Sequence, residues 1–76
     1  MKKLVGILAR SLVDNPEKVE VNQVEGEKSI ILELRVDGDD MGKVIGKQGK
    51  IAKAMRTVVK AAAAKDGKRV VLEILK

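Results

Sequence analysis

Leu32, Leu34 and Val36 follow Ile30 at every second position, with Glu33 and Arg35 turned the other way. The same alternation returns at Val70, Leu72 and Ile74. A period of two marks a strand with one buried face. Between these two strands lies a stretch with helical spacing and little alternation. Two strands joined by a helical crossover in one sheet run parallel. That single inference removes most of the folds open to so short a chain.

The rest of the sequence fills in around it. Leu4, Val5, Leu8 and Leu12 recur at helical spacing, which predicts a first helix over about 2–13. Asp14-Asn15-Pro16 stops it, since a residue before proline avoids helical dihedrals. Val19 and Val21 predict a strand at about 18–24, and Glu25-Gly26-Glu27-Lys28 a turn into the strand at 29–36. Asp37-Gly38-Asp39-Asp40 reads as a loop whose acids cap a short helix at 40–45. Gly46 ends that helix. A longer one is expected from Gln48 to Lys65, stopped by Asp66-Gly67-Lys68. On it Ile51, Met55, Val58, Val59 and Ala62 share about 100° of arc, opposite Lys50, Lys53, Arg56, Thr57 and Lys60. A final strand spans 69–75. The order α-β-β-α-α-β predicts one α+β domain over residues 1–76. Its mixed three-stranded sheet has helices on one face: a hairpin plus a parallel third strand.

Composition narrows the chemistry. The 76 residues include no cysteine, no histidine and no aromatic residue. Disulfides and cysteine-based zinc sites are excluded, as are histidine-dependent triads. No cofactor or metal is expected, and no enzyme. No apolar run approaches the roughly 20 residues of a membrane span. The opening MKKLVGILARSLV is read as a structural helix rather than a leader, because Arg10 interrupts its apolar run. A cytoplasmic protein with no membrane partner is expected.

Charge is unevenly placed. Residues 1–40 carry six basic and nine acidic side chains, whereas 41–76 carry ten basic and two acidic. From 41 to 60 there are Lys43, Lys47, Lys50, Lys53, Arg56 and Lys60, and no acid. One face of the domain is therefore expected to meet a polyanion.

That window contains Val44-Ile45-Gly46-Lys47-Gln48-Gly49-Lys50-Ile51. Two glycines bracket the junction of two helices. The first N–H groups of the second helix lack partners within it, and its dipole leaves about half a positive charge there. Gly49 lets a ligand approach the main chain. Lys47 sits at the tip, with Lys43 and Lys50 beside it. Amides, bare backbone and ammonium groups together suit a phosphate.

The apolar pair, G-x-x-G and following Ile resemble the signature of the KH domain. The inferred element order is that of its bacterial type II form. The stretches 14–21, 42–49 and 51–63 are similar to those of the small single-KH bacterial KhpA family. The resemblance implies a protein that grips about four nucleotides of single-stranded RNA by the sugar–phosphate backbone, with bases in an apolar groove. It implies a post-transcriptional regulator or RNA chaperone. It assigns the clamp to Gly46, Lys47, Gln48 and Gly49, and further phosphate contacts to Lys43, Lys50 and Lys53. Gly42 is placed where a base approaches. Val44, Ile45, Ile51 and Ala52 either shape the groove or pack beneath it. The family also implies self-association as a homodimer, and a heteromer with a larger KhpB/Jag-type partner. Ala61-Ala62-Ala63-Ala64 offers a surface of close approach for self-contact.

Other functions fit less well. A helix-turn-helix DNA reader would have glycines where base-reading side chains belong, and three unneeded strands. Gly42-Lys43-Val44-Ile45-Gly46-Lys47 is one residue short of a P-loop, and Gln48 replaces its Ser or Thr. A KH-shaped interaction module without RNA would not need the acid-free window.

Overall fold

The computed structural model describes residues Met1–Lys76. Helix α1 is Lys2–Leu12 and ends because Val13 is extended. A 3-10 turn at Pro16–Lys18 leads to β1, Glu20–Glu25, about two residues later than the alternation alone predicts. Strand β2 is Ser29–Arg35. A second 3-10 turn, Gly38–Asp40, precedes α2, Met41–Ile45. After a third, Lys47–Gly49, come α3, Lys50–Lys65, and β3, Arg69–Leu75. The fold is α+β, in the type II KH arrangement.

The sheet order is β1-β2-β3. Strands β1 and β2 are antiparallel with Val21 opposite Leu34 and Val24 opposite Ile31. Strands β2 and β3 are parallel, Ile30 beside Val70 and Leu32 beside Leu72. The register puts Ile30, Leu32, Leu34, Val70 and Leu72 on the helix side, where all are buried. Leu32 and Leu34 are fully enclosed, which contributes about 1.5–3 kcal/mol each. Val5 and Ala9 of α1, Val44 of α2, and Met55, Val59 and Ala63 of α3 close the core from above.

The buried stripe of α3 is Ala52, Met55, Val59 and Ala63. It lies about half a residue step round from the expected arc. Val58 is 43% exposed, and Ile51 and Ala62 are only half-buried. Small side chains at 52 and 63 let the helix settle close on the layer below. An arc drawn through the largest apolar side chains misses that. Ala63 is thus core rather than part of a contact surface.

The acidic loop also departs from expectation. Asp37, not Asp39 or Asp40, caps the turn, its Oδ1 accepting from Asp39 N at 2.9 Å. Asp40 makes no cap of α2. It is 1% exposed and turns back to the segment after α1. There it accepts from the main-chain N–H of Asp14 (3.3 Å) and Asn15 (3.1 Å) and from the Asn15 side-chain amide (3.1 Å). One buried carboxylate joins the end of α1 to the start of α2.

Candidate nucleic-acid interface

The loop between α2 and α3 has three residues at positive φ within four positions: Gly46 (+78°), Gln48 (+58°) and Gly49 (+73°). Two glycines make this cheap, and Gln48 carries the remaining strain. The chain makes a one-turn 3-10 bend here. Gly49 N donates to Gly46 O at 3.1 Å, and Lys50 N donates to Lys47 O. The long helix therefore starts at Lys50, two residues later than its spacing predicts. Some of its leading amides are spent inside the loop. Its N-terminus still has no side-chain cap and no acid in the first turn. Neither a capping side chain nor a first-turn acid offsets the positive end of its dipole.

The glycines have different jobs. A Cβ at Gly46 would lie 2.6 Å from Ile51 Cγ1, so Gly46 is required by packing. A Cβ at Gly49 or Gly42 would meet nothing within 4 Å. At those two positions the main chain is open towards solvent.

Lys47, Gln48, Lys50 and Lys53 are exposed, at the loop tip and along the first turn of α3. Lys50 and Lys53 share a helix face. Lys43 is differently placed. Its Nζ pairs with Asp14 Oδ2 and stands 3.9 Å from Asp40 Oδ1. The hydrogen bond to Asp14 raises its pKa against the opposing effect of burial, and the charges of both acids add to the rise. Burial alone would push the Asp40 carboxyl up. The Asn15 amide, the N–H groups of Asp14 and Asn15 and the Lys43 charge outweigh that and hold it below its ordinary value. Val44, one of the residues assigned to the groove or the packing beneath it, is fully buried and packs in the core. Ile45 and Ile51 are half-buried beneath the loop.

Two hollows flank α3. One, about 450 Å³, runs between α3 and the edge strand β3, lined by Arg56, Val59, Lys60 and residues 69–72. Arg56 Nε donates across it to Leu72 O at 3.4 Å. Arg56 thus leaves the outward face assigned to it by spacing and bridges to the sheet. Strand β3 contributes Val71, 47% exposed despite being aliphatic. Only the basic residues of α3 signalled this groove in the sequence, because its other wall comes from a strand that begins beyond the end of the helix. The second hollow lies between α1 and α3. Leu8, Leu12, Ile51, Ala54, Met55 and Val58 line it, with Ser11 the one polar side chain.

Comparison with known proteins agrees with this geometry. Residues 2–74 match the model of the KhpA/KhpB KH domain. The RNA-binding protein KhpA of Clostridium perfringens is 71% identical over 75 residues, covering 99% of this chain and 100% of that protein. The protein of the same name from Clostridium acetobutylicum is 65% identical, with the same coverage of both chains. That from Aquifex aeolicus is 57% identical, covering 99% of this chain and 95% of the relative. Among solved structures, the crystal structure of Era in complex with MgGDPNP and nucleotides 1506–1542 of 16S ribosomal RNA is similar in fold. It superposes at a TM-score of 0.55 with 24% identity, over 97% of this chain and 28% of that chain. Matched almost from end to end, and with both loop glycines in their required conformations, the chain belongs to the KhpA/KhpB family of KH domains.

Proposed function

We propose that this chain binds single-stranded RNA by its sugar–phosphate backbone at Gly46-Lys47-Gln48-Gly49. The bases lie along the groove between α3 and β3. The observation that carries this reading is the uncapped, acid-free N-terminus of α3 with Lys47, Lys50 and Lys53 exposed around it. Open space over Gly42 and Gly49 supports close approach of a strand. The names of the relatives support RNA as the ligand. Without aromatic residues there is no ring on which bases stack, so each domain binds weakly and with strong salt dependence.

The protein acts as a non-enzymatic post-transcriptional regulator or RNA chaperone in the cytoplasm. Self-association raises its avidity. What supports this is the apolar hollow between α1 and α3, which a second copy would cover. A KhpB/Jag-type protein is the partner in a heteromer.

Lys47→Asp with Gln48→Asp tests the clamp. Both side chains are exposed and outside the core. The double variant keeps its thermal unfolding curve and loses RNA binding by at least tenfold in fluorescence anisotropy. Parent-like affinity would place the site elsewhere.

A further inference from the structure

Arg69 lines two hollows at once. One is the groove along α3 and β3. The other is a notch of about 430 Å³ at the far end of the domain from the glycine loop, formed by Lys28, Ser29, Gly67 and Arg69. Arg69 is thus the wall that the groove and the notch share.

The notch repeats the chemistry of the loop with different parts. Register sets Ser29 beside Arg69, which brings the start of β2 against the start of β3. Gly67 takes φ +67°, and a Cβ there would meet nothing within 4 Å, so its main chain is bare. Lys28 and Arg69 form no ion pair; the cation next to them, Lys68, is occupied by Glu25. Neither Glu27 nor Asp66 lines the notch. Two unpaired cations, a free hydroxyl and an open backbone face a hollow without an acid. Such a set receives a phosphate diester.

We infer that the notch of Lys28, Ser29, Gly67 and Arg69 is a second backbone seat, where a strand held at the glycine loop leaves the domain. This rests on the reading of that loop as the RNA clamp. The route between the two seats is marked by Arg56 and Lys60, one turn apart on α3 and both lining the groove. The 16 residues of α3 span about 24 Å. A strand that reaches from the loop to the notch therefore runs the length of α3, past the roughly four nucleotides a single clamp holds.

The test compares random-sequence RNA pools of four and ten nucleotides by fluorescence anisotropy. Lys28→Glu with Arg69→Glu is set against the parent at each length, which cancels the number of binding registers. Both side chains are exposed, and the Arg69 N–H bond to Lys28 O is main-chain, so the fold is kept. The double variant weakens the ten-nucleotide pool about tenfold and the four-nucleotide pool less than twofold. Its salt slope on the longer pool falls by roughly 1.4, at about 0.7 per phosphate contact on a single strand. Equal weakening at both lengths, or unchanged binding of the longer pool, overturns the second seat. The loop variant Lys47→Asp with Gln48→Asp is run alongside. If it retains both lengths, the clamp reading fails, while the notch variant still decides the notch.

Discussion

Ile51 occupies the space that a side chain at Gly46 would need, its Cγ1 only 2.6 Å from where that Cβ would be built. The residue that opens the α2–α3 loop is thus fixed by the first turn of the helix following it. Gly49, three positions on, faces nothing of the protein. One glycine is there for the fold; the other leaves room for a ligand.

Replacing each by alanine separates the two roles. Gly46 has φ +78° and ψ 172°, a region essentially reserved for glycine, and overpacking against Ile51 adds to the strain. Gly46→Ala costs about 3 kcal/mol or more. Gly49→Ala requires only a left-handed alanine, about 1–2 kcal/mol. Urea unfolding of the two variants measures the gap. The milder variant remains folded and binds RNA less tightly, because its methyl group covers the open main chain.

Lysines around the loop are not equivalent. Lys47→Met removes an unpaired cation, lowering affinity severalfold and the salt slope by roughly 0.7. Lys43→Met leaves Asp14 and Asp40 without their cation and lowers the melting temperature instead. Its salt slope stays at the parent value. A slope that fell equally in both variants would mean that Lys43 exchanges Asp14 for a phosphate on binding.

Asp40 gives the domain a pH signature. Its folded pKa is held below the ordinary value, so the charged form stabilises the native state at neutral pH. That contribution is complete above the unfolded pKa of about 3.9. It is lost as the pH falls below that value and through the lowered folded one. Asp40→Asn is therefore less stable than the parent at pH 7, and the two converge below about pH 4. Melting temperatures at pH 7, 5 and 3 check the sign. A gap that widened on acidification would remove the carboxylate from this role.

Val58 reports on self-association. It is 43% exposed and lines the α1–α3 hollow. Val58→Glu places a charge in an apolar contact without disturbing the core. Sedimentation equilibrium is expected to give a dimer for the parent and a monomer of half the mass for the variant. A parent that sediments as a monomer at high concentration would leave the hollow without a second copy.

The strands were legible because their alternation is strict. Ile30 to Val36 and Val70 to Ile74 mark the strands, the parallel crossover and the face that helices cover, whereas the strand order and the register are seen only in the folded sheet. The loop was legible because two glycines with two residues between them, set between helical segments, have few other uses. Ionic detail was not. Asp40 looks like a helix cap beside Met41, and nothing local says that its partners are Asp14 and Asn15, about 25 residues earlier. Lys43 looks free for the same reason. Arg56 falls on the outward face by spacing, yet its long side chain reaches Leu72 O. Charged side chains choose partners across the tertiary structure, and helical or strand periodicity carries no record of that choice.

The parallel pairing of Ile30 with Val70 sets an order of assembly. A hairpin of β1 and β2 closes over a short turn within microseconds. The third strand must wait until everything between has been gathered in, at a larger loop-closure cost. The glycine loop lies inside that last-closed segment. On the proposed reading of that loop, an RNA strand meets no finished grip on a half-folded chain, and ligand added during refolding draws the molecule towards its native state without steering it there.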